Sequence, residues 1–379
     1  MSINTGLYIH IPWCMKKCPY CDFNSHLAKG EILENDYINK LVADFQYDYT
    51  NFSAKKITSI FIGGGTPSLI SAKAYDNLFN RLNKLASWDN NVEITLEANP
   101  GTVDNRRFKD YRNVGINRLS IGVQSFNNSA LKKLGRIHDA DNALRAIENA
   151  HLAGFANINI DIMYGLPQQT TAEALKDLET AINCQPNHLS WYELTIEPNT
   201  IFYKKPPHQP EEDIFIDIET KGKELLAAHG FSRYEISAYG KNQARCLHNL
   251  NYWQYGDYYG IGAGAHSKLT LANNAILRLA KARMPEKYMA STDFIVEKRE
   301  IVSMEDIIFE YMLNTCRLIQ KHNFADFQAK TSYGENVLLS YLKQAEKKGY
   351  ININHSSWHV TKHGLQYNND LMQLFVPKI

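Results

Sequence analysis

The chain has 379 residues, 41 Lys and Arg against 40 Asp and Glu, and 44% hydrophobic residues. That length predicts two or three domains with room for a sizeable core, and the near-zero net charge argues against a nucleic-acid-binding surface built on overall basicity. No run of about eighteen apolar residues occurs and Met1 to Asn4 pass directly into a strand-like segment. A cytoplasmic protein without an integral membrane segment is expected, leaving peripheral association as the form any membrane contact would take.

Leu7 to Ile11 alternates apolar and polar residues and reads as a strand ending at Pro12. Immediately beyond it stand Cys14, Cys18 and Cys21, three of the six cysteines within eight residues, whereas Cys184, Cys246 and Cys316 are scattered singly. Three clustered thiols cannot all pair, which weakens a disulfide framework. Two metal readings remain at this point. One is zinc, with His10 or His26 as fourth ligand; the other is an iron–sulfur cluster, favoured by soft thiolates at close spacing. Three thiolates on a four-iron cluster would leave one iron open to a small molecule.

Residues 35–50 read as a helix, Ile57 to Ile62 as a strand running into Gly63-Gly64-Gly65-Thr66-Pro67, and Ser71 as the cap of a helix carrying Tyr75, Leu78, Phe79, Leu82 and Leu85. The unit then repeats. Val92 to Glu97 is a strand, Thr102 opens a helix that Gly115 ends, and Asn117 to Gln124 is the next strand. A helix ending at Gly154, a strand from Ile158 to Met163, a helix marked by Thr171, Leu175, Leu178 and Ile182, and a strand from His188 to Ile196 complete the series. Six strand–helix units predict a parallel α/β sheet. Cys14 to Cys21, Gly63 to Thr66, Glu97, Gln124, Asp161 and Glu197 all fall at the C-terminal ends of successive strands. Such a spread favours a TIM-like barrel or a partial (β/α)6 TIM-like barrel, where those ends share one face, over a doubly wound sheet.

The character changes near residue 205. The expected division is a barrel over 1–205, a linker and aromatic, glycine-rich region over 206–299, and a C-terminal α+β domain over 300–379. Lys204 to Pro210 is a proline-rich connector, a helix reaches Ala228, Phe231 to Ser237 is strand-like, and a loop is expected from Tyr239 to His266. Within that loop, Gly260 to His266 lacks the spacing of a dinucleotide loop, and His266 reads equally as structural or functional. The C-terminal helices, followed by a hairpin at Gly349 to Asn354 and Trp358 to Thr361, resemble a winged-helix module. Balanced charge favours packing or partner docking there over DNA binding, so no nucleic-acid partner is expected.

CxxxCxxC after the first strand, GGGTP after the second and a six-unit barrel together resemble the radical S-adenosylmethionine (SAM) superfamily. The resemblance implies a 4Fe-4S cluster on Cys14, Cys18 and Cys21, with SAM chelated at the open iron and cleaved reductively to a deoxyadenosyl radical. It also implies that Tyr8 lies near the cluster and that Gly64, Gly65, Thr66, Glu97, Gln124, Arg136 and Asp161 contact SAM. An acid suits ammonium or ribose hydroxyls, and an arginine suits a carboxylate.

Tyr8 to Cys14, Ile121 to Phe126, Leu134 to His138 and Tyr164 to Pro167 are similar to the branch that holds oxygen-independent coproporphyrinogen III oxidase and the HemW-type heme chaperones. The oxidase pattern continues to a fourth cysteine, CxxxCxxCxC, where this chain has Phe23. His248-Asn249-Leu-Asn-Tyr252-Trp253 carries the HNxxYW pattern associated with the chaperones. Imidazole is a common heme ligand, and Tyr252 and Trp253 suit the faces of a flat macrocycle, whereas an isolated histidine there would simply be hydrogen-bonded in a buried aromatic loop. The resemblance implies a chaperone that binds heme, a 4Fe-4S cluster and SAM, hands heme to respiratory acceptor proteins, and carries no catalytic residue that can be named; exposed thiols and aromatics are compatible with a homodimer. The alternatives are radical SAM decarboxylation of coproporphyrinogen III and, last, a zinc-stabilised barrel with a docking module.

Overall fold

The computed structural model describes residues 5–52, 54–291 and 296–377; Met1 to Asn4, read above as leading into the first strand, lie outside them. Strand β1 (Thr5–Ile11) buries Leu7, Ile9 and Ile11 completely and has a parallel partner on each side. A short parallel pair, β2 (Trp13–Cys14) and β3 (His26–Leu27), closes the base of the cysteine loop. Then come β4 (Ile57–Gly64), β5 (Trp88–Ala98), β6 (Arg118–Gln124), β7 (Asn157–Tyr164) and β8 (His188–Glu193). They run parallel in the order β1-β4-β5-β6-β7-β8. In β5 to β8 one face is apolar, with Ile94, Leu96, Leu119, Ile121, Ile158, Ile160 and Leu189 in the main core, while the alternate residues Glu93, Thr95, Arg118, Ser120, Asn159 and His188 are polar and buried too. This is the expected partial barrel.

Local chemistry sets the helix boundaries between these strands. The Ser71 hydroxyl accepts from the Ala74 N–H at 3.2 Å, and Asp139 and Thr170 form capping boxes at the heads of Ala140–Leu152 and Thr171–Asn183. Each cap contributes about 1 kcal/mol. One boundary differs from expectation: Thr102 ends a 3-10 turn, Pro100–Thr102, and the helix Asn105–Asn113 is opened by Asp104, whose carboxylate accepts the Arg107 N–H at 2.8 Å. Gly115, at φ +103°, provides the left-handed exit.

The sheet continues past the barrel at both ends. Beyond β8 lie β10 (Ala238–Gly240) and β9 (Ser232–Arg233), antiparallel. Beyond β1 lie β11 (Asp257–Ile261), parallel to it, and then β12 (His266–Thr270), β13 (Ile276–Lys281) and β14 (Val296–Ile301), antiparallel. Among the described residues these strands make one twelve-stranded sheet. The loop expected from Tyr239 to His266 is therefore corrected: it holds the helix Leu247–Trp253 and the strand β11. Buried charges mask these strands in the sequence. Asp257 pairs with Lys268 at 3.0 Å and with Lys55, and Lys281 pairs with Asp44 at 2.6 Å and Asp48 at 2.8 Å. Ions at the start of β11, the centre of β12 and the end of β13 blur the apolar pattern by which a strand is recognised, and they survive there because each is paired.

The C-terminal strands β15 (His322–Asn323), β16 (Ile351–Ile353) and β17 (Ser357–Val360) form a small antiparallel sheet against the helices Met304–Thr315, Phe324–Thr331 and Glu335–Lys347. This winged-helix-like unit has its own core of Ile308, Phe327, Leu338, Leu342 and Trp358. It is tied to the barrel by Arg278–Glu310 at 2.7 Å and Arg317–Glu235 at 3.1 Å. Among the described residues no helix is long and apolar enough to cross a membrane.

Candidate metal and cofactor site

A cavity of about 540 Å³ opens at the C-terminal ends of the barrel strands, and Cys14, Cys18, Cys21, Gly64, Gly65, Thr66, Glu97, Gln124, Arg136 and Asp161 all line it. The fold thus brings together residues from five different strand ends. Tyr8 is the exception, facing a second cavity that shares Phe23, Gly64 and Glu97 with the first.

The cysteine loop is held from below. His26 N–H donates to Pro12 O at 2.7 Å and Ala28 N–H to Cys14 O at 3.0 Å, while Lys17 Nζ donates to the carbonyls of Phe23 and Ser25 at 3.3 Å. All three thiols are free, and burial pushes those of Cys14 and Cys21 upward from their ordinary range. Arg136 Nη1 lies 3.8 Å from Cys18 Sγ. The histidines considered for zinc are turned elsewhere: His10 bonds Tyr8 Oη at 3.0 Å and Asn24 O at 2.9 Å, and His26 Nε2 lies 3.2 Å from Asn24 Oδ1. Among the described residues no three His, Cys, Asp or Glu side chains stand close enough to hold a single metal ion. A wall of three sulfurs without an imidazole fits a multi-iron cluster in its donor chemistry.

Gly64 and Gly65 bind the end of β4 to the chain entering that loop. Gly64 has φ +114°, and a Cβ there would lie 2.7 Å from Ile11 O; one on Gly65 would lie 2.4 Å from Trp13 O. Their tight approach is to backbone, and the N–H groups of Gly65 and Thr66 donate to Ile11 O and Trp13 O, each at 2.7 Å.

Two acids face the cavity. Glu97 accepts from Gly64 N–H at 3.2 Å, and burial, reinforced by the neighbouring Asp161 carboxylate, pushes its carboxyl up to about 8. Burial also raises Asp161, opposed by hydrogen bonds from Ser120 at 3.0 Å and Asn159 at 2.8 Å. Gln124 sits at φ +72° after a register shift in the β6–β7 pairing, and its Oε1 accepts from Tyr192 Oη at 2.7 Å. Arg136 donates to Gly122 O at 2.8 Å, but its buried Nε has no partner. A carboxylate entering here would supply one. Acids for an ammonium and an open guanidinium for a carboxylate match the two ends of an amino acid. Ser190 and Tyr192, also lining this cavity, were missed in the sequence; their signal is the strand-end position they share with the rest.

The HNxxYW stretch is placed differently. Its helix starts against Glu93, whose Oε1 accepts the Leu247 N–H at 2.8 Å. His248 is 1% exposed, stacks on Phe61 at 5.3 Å, and has Ser59 Oγ and Tyr252 Oη 3.1 Å from its two ring nitrogens. Burial pushes it down to about 3, so it is neutral. Asn249 is half-buried and Trp253 packs under Arg317 at 4.3 Å, both away from the cavity beside Tyr8. Of the four residues only Tyr252 reaches that cavity.

Fold and site define a radical SAM protein, and the Radical SAM superfamily model matches residues 8–181. The chain is 46% identical to "Heme chaperone HemW" of Haemophilus influenzae, covering 98% of this chain and 97% of that one, and 46% identical to the HemW of Escherichia coli, covering 98% of each. The HemW of Bacillus subtilis is 30% identical over 98% of this chain and 99% of its own. The chain belongs to the HemW family of the radical SAM superfamily. Coproporphyrinogen III oxidase HemN from Escherichia coli matches with a TM-score of 0.82 over 98% of this chain and 90% of that one, at 20% identity, a likeness of fold.

Proposed function

We propose that this protein is a heme chaperone: it binds heme, holds a 4Fe-4S cluster and SAM in the barrel cavity, and passes heme to acceptor proteins, respiratory enzymes among them, in the cytoplasm. The observation that carries this reading is the end-to-end identity of 46% with HemW relatives. Phe23 supports it, since a side chain with no metal-binding atom stands where the oxidase pattern has its fourth cysteine. The oxidase reading is supported by fold alone.

In the proposed assignment Cys14, Cys18 and Cys21 hold the iron, Arg136 takes the carboxylate of SAM, and Glu97 and Asp161 take its cationic and hydroxyl groups. When bound, cluster and SAM supply one-electron chemistry. The chain's own contribution is positioning: the Gly64–Glu97 hydrogen bond fixes one acid, and Ser120 and Asn159 fix the other.

The test is an anaerobic preparation with the cluster reconstituted. Stable heme binding and transfer to an apo-acceptor, without consumption of coproporphyrinogen III in the presence of SAM and a reductant, is the expected result. Robust decarboxylation would overturn it, and zinc in place of iron in the freshly purified protein would overturn the metal assignment.

A further inference from the structure

We propose that the heme-binding site is the second cavity and that His266, at the start of β12, is the imidazole that ligates the heme iron, with His248 acting only as a brace. This rests on the heme-chaperone reading above.

The cavity measures about 580 Å³, within the usual 300–1,000 Å³ of small-molecule sites. Its walls come from Tyr8, Phe23, Tyr252 and Tyr258, which offer apolar and aromatic surface to a flat macrocycle. Iron in such a ring asks for a nitrogen lone pair, and three histidines stand near. His10 and His248 have both ring nitrogens engaged by protein groups, and His248 is sealed from solvent. His266 lines the cavity, is exposed, and its ring makes no hydrogen bond among the described residues. Partial burial of the ring, then the charges of Arg278, Arg283 and Lys298, lower its affinity for a proton, which favours the neutral form that ligation requires.

Those cations serve the other end of the ligand. Arg283 lines the same cavity without an ion pair among the described residues, and Lys298 lines it while paired with Glu300 at 2.5 Å; an arginine fork is suited to a carboxylate such as the two that a heme carries. Lys281, also present, is already paired with Asp44 and Asp48. Apolar walls, one available imidazole and cations at one side are the recognition features of an iron porphyrin with acidic side chains. His248 acts through Tyr252: its Nε2 lies 3.1 Å from Tyr252 Oη, and the two rings meet edge to face at 4.8 Å, which fixes Tyr252 as a wall. His248 is therefore a positioning residue.

Hemin titration of the full chain, with its cluster reconstituted, tests this through the Soret and visible bands and the rate of heme loss to apomyoglobin. His266→Ala is expected to abolish the imidazole-ligated spectrum and to speed heme loss at least tenfold, with added imidazole restoring the spectrum and with iron content unchanged. His248→Ala is expected to keep the imidazole-ligated spectrum. Arg283→Glu is expected to weaken binding of hemin severalfold and to leave hemin dimethyl ester unaffected. An unchanged spectrum in His266→Ala, or its loss in His248→Ala instead, overturns the proposal while leaving the chaperone reading intact. Absence of hemin binding by the unaltered protein overturns both.

Discussion

The two cavities that meet at Phe23, Gly64 and Glu97 are made by different parts of the chain and in different ways. The first gathers sulfur, carboxylate and guanidinium groups from the ends of parallel strands, each strand locked between two neighbours, so the positions of the groups are fixed by the sheet itself. The second is framed by β1, the cysteine loop and the antiparallel extension β11 to β13, with aromatic walls and a cationic side. The difference teaches that a rigid, demanding site and a roomier site for cargo coexist because the extension adds a wall of its own, joined to the cysteine loop through Asn24, whose amide donates to the carbonyls of Ala263 and Arg283 at 2.9 Å. It also makes the two sites separable by mutation.

The largest separation is expected from Cys18→Ala. Removing one of three thiols deletes a proposed cluster ligand and also the sulfur facing Arg136, so bound iron is expected to fall to background by iron and sulfide analysis. Heme affinity changes by no more than about twofold if the cavities are independent, since the proposed ligand His266 and the cation Arg283 lie outside the cysteine loop. Joint loss of iron and heme would show one composite site instead.

Glu97→Gln comes next. The amide keeps the shape and the contact with Gly64 N–H, but it cannot take a cationic group as a carboxylate does; SAM binding to the reconstituted protein is expected to weaken by about tenfold or more in calorimetry. The same variant sharpens the electrostatics. Glu97 in the folded protein ionises near 8, well above its ordinary value, so the unfolded chain binds fewer protons between about 4.5 and 8 and the native protein loses stability as pH rises through that window. Glu97→Gln removes that penalty. Its gain in stability over the parent, read from urea melts of the cluster-free protein, should grow from pH 5 to pH 8 and then level off; a gain that shrinks with pH would contradict the buried-acid picture.

Glu97, Gln124 and Asp161 were legible in the sequence because each ends an apolar run ahead of a helix cap or glycine, and a parallel barrel collects such positions automatically, whereas Arg136, which follows the helix Asn128–Lys133, was named only through the resemblance. What the sequence hid is the extension. Asp257, Lys268 and Lys281 are almost wholly buried, yet as isolated charged residues they suggest solvent contact, and the partners of Asp257 and Lys281, namely Lys55, Asp44 and Asp48, lie more than two hundred positions away. The HNxxYW helix suffered likewise: Glu93 and Ser59, which hold its start and its histidine, belong to β5 and β4. Hydrogen bonds across such distances leave no periodic trace.

The smallest effect, and the one that probes the border between the cavities, is expected from Phe23→Ala. Phe23 is 58% exposed and lines both cavities, so its removal costs little folding energy but strips apolar wall from each. Losing contact with a macrocycle on one partly exposed ring costs about 1 kcal/mol, or about fivefold in heme affinity. Iron content and the cluster spectrum should be unchanged, because no atom of Phe23 binds metal. Phe23→Cys distinguishes wall from ligand: if the position acts only as wall, the cysteine variant weakens heme as alanine does and gains no turnover of coproporphyrinogen III. A gain of turnover would mean that this one side chain, more than the extension and its second cavity, separates the chain from the oxidases whose fold it shares.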